Sequence, residues 1–349
     1  MATAKKLPSG KYRALVYIGT FNGKRKYKSF TAGTKKEAEY LASEYLMTNK
    51  AKNEPINITL GEAIDVYIES KYNVLSPSTI RGYRIVQRNA FKDIVNVSLS
   101  DISSGELLQK HMNKNAKKYS AKSMKNQFGL ISAVLNYNNI SVPAVTLKPT
   151  ENKSIPVPTK QEAESIMQAL RKHPDIECQV LLALTCSLRQ SEIAAIRPSN
   201  IDGNVIHIRG ARIPDEYNSL VFKSTNKTYA GNRDVVMPEY LCKRIEEVIK
   251  TKDKDEFVFN LTPSAVLSRF KKVLKEEGIN DYTMHSMRHC FAAIMHANNI
   301  PDKYIMEMGG WSSEIVMKKI YQYTFEDETK KAKEAVNNYF DNVIQNEKD

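Results

Sequence analysis

The stretch Met284-His285-Ser286-Met287-Arg288-His289-Cys290-Phe291-Ala292-Ala293-Ile294 reads as a helix that carries an imidazole and a guanidinium on one side. Residues three apart on a helix share a face, so His285 and Arg288 project together. Two cations on one face repel unless an anion lies between them. Taken alone, the pair reads equally well as two surface residues.

Three further groups surround this helix in the last part of the chain. Thr185-Cys186-Ser187-Leu188-Arg189-Gln190-Ser191-Glu192-Ile193 sits where an apolar helix (Val180, Leu181, Leu182, Leu184) ends and another begins. Arg189 stands at that junction, and by itself it reads as a helix-end arginine paired with Glu192. Lys227-Thr228, followed by Gly231 and Arg233, sits in a turn between two strand-like runs, Leu220–Ser224 and Arg233–Met237, expected to form a hairpin. Gly309-Gly310-Trp311-Ser312-Ser313 closes one helix and opens another that carries Tyr321 and Tyr323. Trp311, the only tryptophan, has core packing as its ordinary reading.

Upstream, the chain divides by charge. Its 349 residues carry a net charge of +13, with 42% apolar and 26% charged residues, the balance of a globular protein. Residues 1–56 are net +8, residues 57–153 net +6 and residues 154–349 net −1. Two basic modules thus precede a neutral one, which makes nucleic acid the leading partner. No run approaches 18 apolar residues, so no membrane span or membrane partner is expected. No signal peptide is visible. Cys178, Cys186, Cys242 and Cys290 form no CxxC pair, which argues against a disulfide framework or zinc finger and for a reducing cytoplasm.

The predicted fold class is multidomain: a small N-terminal β-sheet plus helix (1–52), an all-α module (57–147) and a mixed, mainly helical α/β domain (155–349). In the first, Tyr12, Ala14, Val16 and Ile18 alternate on one strand side, Asn22-Gly23 signals a hairpin, and Thr34 with Glu37 forms a capping box. The following helix has the stripe Ala38, Leu41, Ala42 and Tyr45. Lys11, Arg13, Lys24, Arg25, Lys26 and Lys28 are left for the other sheet face, where they can meet DNA. In the second, helices start at Thr59, at Ser76-Pro77, at Ser103 or Ser104, and at Ser120. Arg81, Arg84, Lys117, Lys118, Lys122 and Lys125 are its candidate DNA contacts; six lysines and no acids lie between Lys110 and Lys125. Lys148–Thr159 reads as an extended linker. Asp327–Ile344 reads as an amphipathic helix with Ala332, Ala335, Val336, Tyr339 and Phe340 on its apolar side.

Together the order Arg…Lys…His-x-x-Arg…Gly-Trp…Tyr resembles the tyrosine recombinase (phage-type integrase) family. LTCSLRQSEIAAI, NKTYAGNRDVVMP, MHSMRHCFAAI and GGWSSEIVMKKIY carry the likeness. It extends over the whole chain: the N-terminal sheet resembles the arm-site DNA-binding domain of integrases from conjugative transposons and temperate phages. The helical module, with LSPSTIRGY, resembles their core-site binding domain. The resemblance implies a covalent 3′-phosphotyrosyl intermediate, strand exchange in pairs and a homo-tetramer on double-stranded DNA with core-type and arm-type sites. An excision factor and a host DNA-bending protein would be accessory partners, and the protein would work in the cytoplasm on the nucleoid. In a relative, the tail helix docks on a neighbouring protomer; packing on its own domain is the other reading.

Carried over by motif, Arg189 and Arg288 are the phosphate clamp, Lys227 the hairpin lysine, His285 the first histidine and Trp311 the His-or-Trp position. Tyr321 is the nucleophile. Ser187 stands where the family usually has glycine, and Tyr323 where many relatives have histidine. Two residues apart on a helix face different ways, so only one tyrosine can point at the phosphate. His285 either takes the tyrosine proton or donates to the phosphate.

The chemistry is consistent with these residue types. A tyrosine of ordinary pKa near 10 is phenolate about once in 10³ at pH 7, so its activation needs about 4 kcal/mol. A neighbouring base or a field of cations can supply it. Arginine forks match phosphate oxygens bidentately and stay charged. The leaving 5′-oxygen needs a proton, which Lys227 could give. No metal and no cofactor is expected, because the tyrosyl ester conserves the bond energy for religation. The competing readings are a catalytically inactive DNA-binding regulator on the same scaffold, a type IB topoisomerase-like relaxer and a metal-dependent transposase.

Overall fold

The computed structural model describes residues 3–21, 24–53, 58–150, 156–224, 232–321 and 333–341. The chain is mixed and mostly helical, with small sheets, and it divides into two compact units: residues 1–72 with 85–150, and 73–84 with 151–349.

In the first unit, β1 (Lys5–Lys6), β2 (Tyr12–Phe21) and β3 (Lys24–Ala32) form an antiparallel sheet in the order β1-β2-β3. Helix α1 (Lys35–Asn53) covers one face, with Ala38 and Ala42 buried against Ala14 and Val16. Its stripe is narrower than expected. Leu41 is exposed, because alanines let the helix lie close to the sheet and leave a residue one step round on the rim. Lys28 also departs from expectation. It pairs with Val16 across the ladder and so shares the covered face, where its ammonium sits 4.3 Å from the Tyr45 ring centre. The side chains of Lys24, Arg25 and Lys26 and the Asn22-Gly23 turn lie outside the described residues.

The helical segment of this unit contains α2 (Leu60–Ser70), α4 (Leu99–Ile102), α5 (Glu106–Ala116) and α6 (Ala121–Tyr137), with α3 (Pro77–Ala90) crossing between the units. Thr59 and Glu62 make a complete capping box, and Ser120 caps α6 by accepting from the Ser123 amide. The start of α5 differs from expectation. Ser103 and Ser104 close the short α4 instead, and Gly105, at φ 86°, turns the chain into α5. A glycine reaches that φ without the Cβ clash that a serine would meet.

In the second unit, α8 (Glu177–Thr185) is buried on all sides and packs against α12 (Met284–Ala297), the helix of the opening stretch. Around them lie α7 (Lys160–Leu170), α9 (Gln190–Ile193), α10 (Glu239–Ile249), α11 (Pro263–Glu276), α13 (Asp302–Gly309) and α14 (Glu314–Tyr321). The expected hairpin of 220–224 with 233–237 is not what forms. β7 (Leu220–Lys223) pairs with β6 (Ala211–Pro214), and β8 (Arg233–Val236) pairs with β5 (Val205–Ile208), which also holds β4 (Ile201–Asp202). The turn that makes the β6–β7 hairpin is Asp215–Ser219. The Asp215 carboxylate accepts from the Tyr217 and Ser219 amides at 2.9 and 2.8 Å, and Asn218 takes a left-handed φ of 66°. Helix 333–341 is exposed along its length, with Val336, Tyr339 and Phe340 in the open.

Candidate functional site

Arg189 is the N-cap of α9, at φ −72° and ψ 148°. The Glu192 carboxylate reaches back to the Arg189 amide at 2.8 Å and to its Nη1 at 2.6 Å. Nη2 of Arg189 donates to the Gly310 carbonyl at 2.8 Å. The backbone just before it needs a glycine-like shape: Ser187 sits at φ 55°. That geometry turns the Ser187 carbonyl toward Nη1 of Arg288, which donates to it.

Arg288 is 1% exposed, and its guanidinium carbon lies 4.2 Å from the Trp311 ring. Trp311 packs with Phe291, Ala292, Ile305 and Met317, so its core-packing role and its place beside Arg288 are the same fact. The two glycines before it have separate jobs. A Cβ on Gly309 would fall 1.7 Å from the indole, and Gly310 closes α13 at a left-handed φ of 63°.

Charges converge here. Burial and then the Arg189 guanidinium push Arg288 down to about 9, still charged at neutral pH. Burial, then Arg288 and Arg189, lower His285 below its ordinary value, so the imidazole is neutral at pH 7. His285 stands at the exposed rim, its ring 4.3 Å from that of buried His289. Repulsion among like charges is the physical signature of a site built for an anion. A phosphate placed between the guanidiniums would relieve it and raise the His285 pKa.

Two residues whose part the sequence did not show hold this site. Arg233, on β8, is buried and donates to both oxygens of Glu192, at 3.3 and 3.0 Å, and through Nε to the Met308 carbonyl at 3.0 Å. Glu192 thus carries two arginines. Its burial would raise its pKa, but Arg233 and then Arg189 outweigh this and hold it below the usual carboxylate range. The one available signal was the Arg189–Glu192 spacing of three, which reads as an ordinary surface pair.

The structure brings together Arg189, His285, Arg288 and Trp311. Tyr321 is the last residue of α14, one turn beyond the buried Met317. Its side chain, and the whole of Lys227 and Tyr323, lie outside the described residues. Of the other candidates, Lys11, Arg13, Lys117, Lys118, Lys122 and Lys125 are exposed. Arg81 donates to Asn218 Oδ1 at 2.9 Å, and Arg84 pairs with Glu216 at 3.3 Å. Among the described residues, no three metal-ligating side chains converge, and no helix is long and apolar enough to cross a membrane.

Comparison with known proteins meets this geometry. Residues 157–328 match the phage integrase family. The chain is 25% identical, over 94% of its length and 96% of the relative's, to the tyrosine recombinase XerC-like of Caldanaerobacter subterraneus subsp. tengcongensis. In fold it is similar to the Tn1549 transposon integrase in complex with circular intermediate DNA, at TM-score 0.58 and 18% identity, over 80% of this chain and 100% of that one. It is also similar to lambda integrase, solved as a tetramer bound to a Holliday junction, at TM-score 0.56 and 14% identity, over 93% and 97% of the two chains. Residues 157–328 therefore match the phage integrase family, in a chain similar along its length to a tyrosine recombinase.

Proposed function

We propose that this chain is a site-specific DNA recombinase that integrates and excises a mobile element through a covalent 3′-phosphotyrosyl intermediate. The convergence of Arg189, Arg288 and His285 from two separate segments, each cation lowering the pKa of its neighbours, carries this reading. Arg189 and Arg288 bind the non-bridging oxygens of the scissile phosphate, where charge gathers during transfer. The Tyr321 oxygen attacks phosphorus, the bond from phosphorus to the 5′-oxygen breaks, and Lys227 gives that oxygen its proton. His285 accepts the phenol proton or donates to the phosphate, and Trp311 supports Arg288 from behind. The 5′-hydroxyl of a partner strand then reverses the step, so neither metal nor cofactor is called on.

The domain division 1–52, 57–147 and 155–349 belongs to the same proposal, with arm-type DNA on the first, core-type DNA on the second and a homo-tetramer on DNA. The open tail helix 333–341 offers Val336, Tyr339 and Phe340 to a neighbouring protomer. An excision factor and a DNA-bending protein are the accessory partners of this scheme.

The test mixes the protein with DNA from the junctions flanking its gene in EDTA, quenches with SDS and looks for protein on a 3′ end. Wild type and Tyr323→Phe are expected to form the adduct and Tyr321→Phe to bind DNA without forming it. A footprint with no adduct, even on nicked trapping substrates, replaces this reading with a DNA-binding regulator.

A further inference from the structure

Several arginines of the second unit are spoken for. Arg189, Arg209, Arg233, Arg244 and Arg269 each hold a carboxylate. Arg197 and Arg212 hold none among the described residues. Arg197 follows α9, and its guanidinium carbon lies 4.8 Å from the ring centres of both Phe222 and Phe257. Arg212, on β6, lies 4.0 Å from the same Phe257 ring and gives a single long hydrogen bond, 3.4 Å, to the Ala194 carbonyl. The Nε atoms of both are buried without an acceptor.

This stacking is built rather than incidental. Gly210 makes room for it: a Cβ there would fall 2.7 Å from the Phe222 ring. Phe222 and Phe257 meet at 6.2 Å between centres, which gives the planar face of Arg197 two aromatic contacts. Aromatic faces fix the plane of a guanidinium and leave its N–H edge to other partners. A fixed edge with five donors and no acceptor suits the paired oxygens of a phosphate.

Arg197 borders a small cleft. Ser199, Asn200, His207, Arg209 and Phe222 line it with Arg197. The nearby Asp234 carboxylate is already shared by His207 at 2.9 Å and Arg209 at 2.6 Å. Glu192, at its inner wall, is taken by Arg189 and Arg233. Burial and then the Arg197 charge lower the Arg212 pKa, and among the described residues no carboxylate pairs with either arginine.

We infer that the cleft at Arg197 binds a phosphodiester phosphate of the DNA, distinct from the one clamped by Arg189 and Arg288. Arg197 gives the contact through its terminal nitrogens, Ser199 and His207 border it, and Arg212, over the same Phe257 ring, adds to the positive field. The inference rests on the recombinase reading for the identity of its anion. It would add a fixed grip on the DNA backbone, made by a charge that no described carboxylate balances.

Binding of the full-length protein to a duplex from the gene-flanking junctions, followed against NaCl, tests it. Each phosphate contact contributes about 0.9 to the slope of log affinity against log salt. Arg197→Gln is expected to make that slope shallower by about one. Ser199→Glu, which leaves the aromatic stack intact and puts a carboxylate at the mouth of the cleft, is expected to do the same. It decides the matter should Arg197→Gln fail to fold. Slopes as steep as wild type in every folded variant overturn the inference and leave the recombinase reading standing. A flat wild-type slope overturns both. Unchanged slopes with a melting temperature that inorganic phosphate raises in wild type and not in Ser199→Glu would also overturn it, since the cleft would then take a free anion and not DNA.

Discussion

Arg288 is buried, donates to a carbonyl, lies against an indole and feels two neighbouring guanidiniums. Lys117, Lys118, Lys122 and Lys125, around the α5–α6 junction, are exposed. Both sets are positive, and both were candidates for contact with phosphate. The difference lies in what holds them. A charge that must meet one phosphate at one angle is fixed by partners, and the chain accepts the cost of burying it. A charge that need only add to a field stays solvated on a flexible stem. Arginine suits the first task and lysine the second.

The comparison breaks most sharply at Arg288. Arg288→Ala is expected to lower junction cleavage by about 10³–10⁵-fold, the range found for arginines that meet a transferring phosphoryl group. Footprints on the same DNA should persist. A loss below tenfold in a folded variant would remove Arg288 from the clamp and erase the distinction drawn above.

Glu192 comes next. Replacing it by Gln leaves Arg233 buried without its counter-charge, which costs about 3–5 kcal/mol when one partner of a buried pair is removed. The melting temperature should fall accordingly. The pH dependence has a definite sign. The folded pKa of Glu192 lies below its ordinary 4.5, so its contribution is fully present above that value and lost as pH falls through the lowered one. The gap in stability between wild type and Glu192→Gln should therefore be widest near neutral pH and close on acidification. A gap that stays constant from pH 7 down to 3 would mean that Glu192 is not the charge holding Arg233.

The lysines should respond differently. Lys117→Ala, Lys118→Ala, Lys122→Ala and Lys125→Ala should each leave stability within about 0.5 kcal/mol. Each that touches phosphate should flatten the salt dependence of DNA binding by about one unit, whatever the sequence of the duplex. A lysine change that unfolds the protein, or one that abolishes cleavage with binding intact, would place that residue with the arginines.

Legibility followed the same divide. The helix starts at Thr59 and Ser120 were readable because a cap and its acceptor sit within a few residues. His285 and Arg288 were readable because three residues on one helix fix their relation. Glu192 with Arg233 was not, since 41 residues separate them and only the tertiary fold joins β8 to α9. The β6–β7 pairing was missed for a similar reason. Leu220–Lys223 has two sequence neighbours of strand character, and the Asp215 turn, with no Asn-Gly or Asp-Gly, decides between them. Lys28 was not legible because alternation gives a strand's two faces, but the packing helix selects which one is covered.

Ser187 is where sequence and structure meet most directly. Its φ of 55° lies in the left-handed region, where a Cβ crowds the following carbonyl at a cost of about 1–2 kcal/mol. Its hydroxyl is buried and has no hydrogen-bond partner, which adds to that cost. Yet its carbonyl is the acceptor for Arg288 and lies 3.5 Å from Arg233 Nη2, so the turn cannot relax into the ordinary helical region without releasing them. Glycine, usual here in the family, would take the same φ without strain, while losing more freedom from the unfolded chain. The two effects oppose, and the strain together with the orphaned hydroxyl is the larger. Ser187→Gly is expected to stabilise the protein by about 1 kcal/mol, read as a rise in urea midpoint at unchanged slope, with cleavage kept. A loss of stability would show that the serine does something for the clamp that its backbone alone does not.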